Sequence, residues 1–174
     1  MTFTLRPATL ADLPALAAFA AATFPDAAPA VIPRQAVASF IEQNLSEAAL
    51  RGFLDKGSYS FTLALDPQGQ ILAYAGIDHQ APQPPEVPGQ AAYLSKFYLL
   101  ASSRGSGLAQ ALLQEVKEQA KADGRDGLYL GTHQENRRAQ AFYEKSGFRK
   151  VGRREFELTA GVIGQDFIYY LPLN

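Results

Sequence analysis

The loop from Arg104 to Ala109 carries the residue types that bind a phosphate group. It follows an apolar run, Tyr93 to Leu100, and precedes a stretch in which apolar residues recur every four positions from Leu108 to Ala120. A strand, a glycine loop and a helix in this order present free amides at the positive end of the helix dipole. Gly105 and Gly107 have no side chain to block a ligand, and the arginine adds a fork of donors. The loop therefore predicts an anion site sized for a diphosphate.

Two common phosphate-binding motifs do not fit this loop. A P-loop ends in Gly-Lys-Ser/Thr, and that triplet does not occur in the chain. The dinucleotide fingerprint needs a third glycine at the position of Gln110. The remaining pattern is Arg104-x-x-Gly107-x-Ala109. From the loop alone, a helix start with glycines for turning and a nucleotide-phosphate enzyme remain alternatives, although the missing Lys-Ser/Thr pair disfavours the second.

A second segment places two polar side chains on one helix face. Asn136 and Tyr143 follow a short apolar strand and lie seven residues apart, which is nearly two helical turns. Ala139 lies between them and is small enough to leave space for a ligand. Without other information, Asn136 is also explained as a helix cap, and a core or edge aromatic is the favoured explanation of Tyr143.

Hydrophobic periodicity and turn residues predict the elements that position these two segments. The predicted order is β, α, α, α, β, β, β, α, β, α, β, β, which implies a mixed sheet with helices on both faces. Three prolines between Thr23 and Pro33 predict that this stretch is not regular helix. The apolar run from Ile71 to Ile77 predicts a strand that is covered on both sides.

Composition excludes several classes of function. With 174 residues, 47% of them hydrophobic and 19% charged, the chain is expected to form one domain. A net charge of −1 argues against binding to nucleic acid or to an anionic membrane, and no run is long enough to span a bilayer. The absence of cysteine excludes thiol catalysis and fits a cytoplasmic location. With only two histidines in addition, no metal site is expected.

Together the two segments resemble the GNAT superfamily of N-acetyltransferases. The run from Asn136 to Phe148 reads Asn-x-x-Ala-x-x-Phe-Tyr-x-Lys-x-Gly-Phe, and it follows the Arg104 loop by about 30 residues. The resemblance implies an α/β fold with a mixed, mainly antiparallel central sheet of about seven strands and helices on both faces, in a single N-acetyltransferase domain over residues 1–174. The stretch with Thr23-Phe24 and Ser46 is similar to the bacterial branch that includes spermidine/spermine acetyltransferases.

The resemblance also implies a reaction and a set of site residues. An amine of a small molecule or peptide would attack the thioester of acetyl-CoA directly, without a metal or a covalent intermediate, and Tyr143 would protonate the departing sulfur. The implied cofactor contacts are Phe97, Tyr98 and Leu99 with the pantetheine arm, Arg104, Gly105, Ser106, Gly107, Leu108 and Ala109 with the pyrophosphate, Asn136 with the arm, and Lys145 with a CoA phosphate. Arg137 and Arg138 are either surface residues or contacts to the 3′-phosphate.

The general base is not identified by the resemblance. Family members often carry a carboxylate at the position of Ser95, and here Lys96 follows it, which argues against a polycationic acceptor. Other candidates for the base are Asp78, Glu86, His133 and His79. The alternative function is a catalytically silent CoA-binding module with a regulatory role. The acceptor amine and the oligomeric state, a homodimer included, remain open.

Overall fold

The structure, a computed structural model, describes residues 1–174. Seven strands and five helices follow one another in the predicted order, which is thereby confirmed. The strands are β1 (Thr4–Pro7), β2 (Tyr59–Leu65), β3 (Ile71–Asp78), β4 (Ala91–Leu99), β5 (Gly127–His133), β6 (Arg149–Thr159) and β7 (Val162–Pro172). The helices are α1 (Leu13–Ala27), α2 (Arg34–Asn44), α3 (Glu47–Asp55), α4 (Leu108–Ala122) and α5 (Arg137–Lys145). No helix has the length and apolar character needed to cross a membrane.

The seven strands form one sheet in the order β1-β2-β3-β4-β5-β7-β6. Every pair of neighbours is antiparallel except β4 and β5, which are parallel and are connected by the crossover helix α4. The predicted mixed, mainly antiparallel sheet is therefore confirmed.

Helices cover both faces of this sheet. On one face, α4 and α5 contribute Leu112, Val116 and Tyr143 to an apolar cluster, and on the other, α1 and α3 contribute Leu16 and Leu50 to a second cluster. In β3, Ala73 and Ala75 belong to the first cluster and Tyr74 between them belongs to the second, because successive side chains of a strand point to opposite faces. The prediction that this strand is covered on both sides is confirmed.

Helix α1 continues through a proline, and here the sequence prediction was wrong. Residues 23–27 were expected to be irregular, but α1 includes Pro25 and ends only at Ala27. Because Pro25 lies in the last turn, its missing N–H removes a single hydrogen bond near the helix end. The Thr23 hydroxyl donates to the carbonyl of Phe19, one helical turn earlier, at 2.8 Å. The longer helix brings its C-terminal residues close to the end of β4, in the middle of the sheet.

The sheet divides between β4 and β5. Only residues 91–93 of β4 pair with residues 127–129 of β5, whereas the strands continue to Leu99 and His133. Facing backbone groups and side chains beyond Tyr93 and Tyr129 therefore line a gap in the middle of the sheet. Residues of β4 and β5 on the two sides of this gap line the candidate site.

A bulge on β4 changes the direction of its side chains at the gap. Gly76 of β3 pairs with Lys96 and Ile77 pairs with Leu94, so that Ser95 is the unpaired extra residue. As a result Ser95 and Lys96 lie on the same face of the sheet, with Lys96 Nζ 3.4 Å from the hydroxyl of Ser95. In a strand without a bulge, successive side chains point to opposite faces, which would have separated them.

Candidate active site

A cavity of about 610 Å³ lies at the gap and extends along the start of α4. Ten of the twelve residues predicted for the site line it: Phe97, Tyr98, Leu99, Arg104, Gly105, Gly107, Ala109, Asn136, Tyr143 and Lys145. The other two, Ser106 and Leu108, do not. The hydroxyl of Ser106 donates to the carbonyl of Ser103 at 2.5 Å, and Leu108 is fully buried in the core. We call this space the large cavity.

The loop before α4 presents a row of unused amide donors to the large cavity. The amides of Gly105, Ser106, Gly107, Ala109 and Gln110 donate to no group of the protein. Gly105 and Gly107 have φ angles of +76° and +86°, the left-handed region that glycine adopts without strain. A β-carbon at either position would meet no atom within 4 Å, so the space beside the loop is open. This arrangement is typical of an anion site at a helix N-terminus.

Charged side chains around the large cavity reinforce this preference. Arg104, Arg138 and Lys145 line it and are exposed, and none of them forms an ion pair. Asp26 at the end of α1 is the one carboxylate in the lining. Three cations against one anion, beside five free amides, fit a ligand with several phosphate groups.

Tyr143 lies where the large cavity meets a second cavity. Its ring is buried among aromatic neighbours, Phe97, Phe142 and Phe148. Its hydroxyl donates to no protein group, and the residue lines both cavities. Burial raises the pKa of Tyr143, with a smaller contribution from Tyr98, so that the phenol carries its proton at neutral pH. A protonated phenol without an internal partner is suited to donate that proton to a ligand.

Asn136 uses most of its side chain to hold α5 in place. Its Oδ1 accepts the amide of Ala139 at 3.2 Å, and its Nδ2 donates to the carbonyl of Ala27 at 3.4 Å. The residue therefore caps α5 and connects it to the end of α1. One Nδ2 hydrogen remains without a partner in the protein.

The second cavity, of about 190 Å³, lies on the other side of Tyr143. Its lining includes the bulged Ser95, His133 at the end of β5, and the ion pair of Arg154 with Asp166. A third cavity of about 280 Å³ adjoins it, because Tyr93, Ser95 and Arg154 line both. We call the second space the acceptor cavity, because an amine acceptor is expected on the side of Tyr143 away from the large cavity, and the third space the side cavity.

None of the four base candidates from the sequence faces the acceptor cavity with a free lone pair. Asp78 lines only the side cavity and accepts from the Ser58 hydroxyl and the Gln80 amide, both at 3.0 Å. Glu86 is exposed and packs beside Gly152, outside all three cavities. The Nδ1 of His133 accepts the Glu135 amide at 3.1 Å, which leaves the proton of the neutral ring on Nε2. His79 lies 3.3 Å from Asp123 and lines none of the three cavities.

A cluster of hydroxyl and amine groups lies behind Ser95 instead. The hydroxyls of Ser95 and Tyr59 are hydrogen-bonded, and Lys96 Nζ lies 3.3 Å from the Tyr59 oxygen. No carboxylate pairs with Lys96, whose Nζ lies 4.1 Å from the ring centre of Phe53. Burial, with a smaller contribution from Lys56, lowers the pKa of Lys96 to about 8. A substantial fraction of this lysine is therefore neutral just above physiological pH.

Sequence reasoning missed several lining residues because they come from distant elements. Thr23, Asp26 and Ala27 reach the large cavity only because α1 continues past Pro25. Arg154 and Tyr59 had no motif around them. Phe142 is the missed residue that the sequence could have identified as part of the site. It lies inside the Asn136–Phe148 segment and lines the large cavity beside Tyr143.

Comparisons with known proteins identify the same family that the two sequence segments resemble. A family model described as the acetyltransferase (GNAT) family matches residues 20–148. An uncharacterized N-acetyltransferase of Mycobacterium tuberculosis is 37% identical over 151 residues, which cover 87% of this chain and 92% of the relative.

Two solved structures illustrate the likeness of fold. The PaiA N-acetyltransferase of Thermoplasma acidophilum, crystallised with coenzyme A, superposes with a TM-score of 0.79 at 20% identity and covers 99% of both chains. Arabidopsis thaliana NAA60, in complex with a bisubstrate analogue, gives a TM-score of 0.70 at 18% identity over 99% of this chain and all of the other.

Proposed function

The chain belongs to the GNAT family of acetyltransferases, and from this premise we propose that it moves an acetyl group from acetyl-CoA to a primary amine of a small molecule or peptide by direct attack. The observation that carries this proposal is the position of Tyr143, whose side chain borders both the large cavity and the acceptor cavity. A donor held on one side and an amine on the other would meet at its hydroxyl. Release of free CoA thiol from acetyl-CoA over a panel of amines tests the proposal.

The large cavity is the proposed site of acetyl-CoA. The free amides between Gly105 and Gln110 bind the pyrophosphate, and Arg104, Arg138 and Lys145 neutralise the phosphate charges. Backbone groups of residues 97–99 bind the pantetheine arm, because β4 has no β5 partner there. The remaining Nδ2 hydrogen of Asn136 is available to the same arm. Acetyl-CoA supplies the activated acetyl group and a thiolate leaving group.

Tyr143 is the proposed general acid. As the bond from the carbonyl carbon to sulfur breaks, the phenol gives its proton to the departing thiolate. The raised pKa of Tyr143, caused by burial, ensures that the proton is present at neutral pH. The nitrogen carries one proton too many once it is bonded to the carbonyl carbon, and passing this proton to the phenolate left behind gives the neutral amide and restores Tyr143.

We propose the cluster of Ser95, Tyr59 and Lys96 as the route by which the amine loses its proton. Ser95 borders the acceptor cavity, while Lys96 lies behind it and lines none of the three cavities. The ammonium proton passes to the Ser95 oxygen, the Ser95 proton passes to Tyr59, and the Tyr59 proton passes to neutral Lys96. The amine gains a free lone pair and the lysine becomes an ammonium, so that charge and protons balance.

This relay predicts that arginine cannot replace Lys96. Arginine keeps the positive charge but does not deprotonate in proteins, so Lys96→Arg should lower kcat on the order of 10²-fold. Ser95→Ala should lower kcat to a similar extent, because it interrupts the relay. In the parent, kcat/KM should rise with pH through about 8, the pKa of Lys96, and this limb should be missing in Lys96→Arg. The titration of the acceptor amine itself appears equally in both profiles.

Lys56→Gln is the matched control, because Lys56 is an exposed lysine close to the same cluster. Its removal should leave kcat nearly unchanged and move the limb slightly toward higher pH. If Lys96→Arg kept the parent rate, Lys96 would act through its charge and the relay would be wrong.

The silent CoA-binding module remains distinguishable by experiment. Calorimetry with acetyl-CoA and the thiol-release assay are run on the same preparation. Binding of acetyl-CoA without thiol release on any amine would favour the module over the transferase.

A further inference from the structure

The side chain of Arg154 crosses the sheet from its edge strand to the gap. On β6, Arg154 pairs in register with Asp166 of β7, and Asp166 pairs in turn with His133 of β5. Its Nη2 nevertheless donates to the hydroxyl of Tyr93 on β4 at 2.9 Å. Because Tyr93 is the last residue of β4 that pairs with β5, the guanidinium lies where the sheet divides.

Gly131 provides the space for this guanidinium. A β-carbon at position 131 would lie 2.6 Å from Cζ of Arg154, so that any side chain there would displace the guanidinium from this position. The ring centres of Tyr93 and Phe156 lie 5.5 Å and 5.7 Å from the same Cζ. Contacts with a strand backbone and two rings hold the planar group in one orientation.

The protein leaves part of the guanidinium fork unused. Nε donates to the carboxylate of Asp166 at 3.3 Å and Nη2 donates to Tyr93, whereas Nη1 donates to no group of the protein. The side chain of Arg154 is 26% exposed, and it lines both the acceptor cavity and the side cavity. An oriented guanidinium with free donors is the group that binds a ligand carboxylate in plane.

The one carboxylate of the acceptor cavity, Asp166, is already engaged by a cation. Asp166 accepts from Arg154, whereas Asp78 of the side cavity accepts from the Ser58 hydroxyl and the Gln80 amide through Oδ1 alone. Lys56 adds a further cation to the side cavity. In the acceptor cavity a second ammonium group would therefore have to share Asp166 with Arg154, while a carboxylate would meet the free Nη1 of Arg154.

We propose that the acceptor is a small amine that also carries a carboxylate, and that Nη1 of Arg154 binds this carboxylate while the amine faces Tyr143. This inference rests on the proposed function and names its substrate class. Tyr143 and Arg154 line the same cavity of about 190 Å³, so one small molecule reaches both. The expected substrates are aminocarboxylic acids, in preference to diamines and polyamines.

The test compares three compounds that share one aliphatic amine and differ only at the other end: δ-aminovalerate, pentylamine and cadaverine. Calorimetry measures the binding of each to the protein saturated with CoA. We expect δ-aminovalerate to bind at least about tenfold more tightly than the other two. In Arg154→Gln this preference should disappear, and cadaverine should bind more tightly than in the parent because Asp166 has lost its partner. No preference in the parent, or an unchanged preference in the variant, overturns the proposal.

Arg153→Gln is the matched control, since Arg153 is exposed, lines none of the three cavities and makes the same change of charge. It should retain the preference for δ-aminovalerate. The double variant Arg154→Gln/Asp166→Asn leaves no unpaired buried charge and should also lose the preference while it remains folded. The thiol-release assay with the same amines separates the two proposals. A carboxylate preference without thiol release refutes acetyl transfer, whereas release without the preference refutes the role of Arg154.

Discussion

Gly107→Asp is expected to abolish CoA binding, with a loss of affinity greater than about 10²-fold. The new carboxylate would lie at the N-terminus of α4, beside the free amides proposed for the pyrophosphate, and like charges would repel. The residue is exposed and a β-carbon there meets no protein atom, so the effect on the core should be small. Calorimetry with CoA measures the change.

Backbone strain has to be separated from this charge effect. Gly107 has a φ of +86°, which any other residue adopts with strain. Gly124 follows the opposite end of the same helix, with a φ of +76° and open space around it. Gly124→Asp should therefore lower the melting temperature by a similar amount and leave CoA affinity unchanged. Unchanged affinity in Gly107→Asp would remove the loop from the cofactor site.

Tyr143→Phe should lower turnover on the order of 10²-fold with a modest change in CoA affinity. The substitution removes the proposed proton donor and keeps the ring that packs against Phe97 and Phe148. Because the hydroxyl has no hydrogen-bond partner in the protein, no group is left unsatisfied and the fold should be unaffected. Initial rates of thiol release at saturating acetyl-CoA measure the effect.

Tyr169→Phe is the control for this substitution. The Tyr169 hydroxyl is also buried without a partner, and its ring centre lies 6.4 Å from that of Tyr143. It lines neither the large cavity nor the acceptor cavity, so its loss should leave the rate intact. Equal rates for Tyr143→Phe and the parent would show that another group protonates the sulfur.

Most of the fold could be predicted because its signals are local. Alternation, four-residue periodicity and glycine or proline turns each act over a few residues, and they gave the complete order of elements. The same is true of the proposed cofactor site, where the loop before α4 and the Asn136–Phe148 segment are each continuous in sequence. Pro25 was misjudged because its effect depends on its distance from a helix end that the sequence does not mark.

The proposed acceptor site could not be predicted because its contacts join distant parts of the chain. Ser95 and Tyr59 are 36 residues apart, and Arg154 and Tyr93 are 61 apart. The bulge that turns Ser95 and Lys96 to one face depends on the register between β3 and β4, and no local residue preference encodes that register. The space for Arg154 depends on a glycine in a different strand.

The arrangement of two cavities around one phenol has a kinetic consequence. If acetyl-CoA binds in the large cavity and the amine in the acceptor cavity, as proposed, neither substrate has to leave the protein before the other binds. Steady-state velocities plotted in double-reciprocal form should give intersecting lines, the pattern of a sequential ternary-complex scheme, and a dead-end analogue of one substrate should not compete with the other.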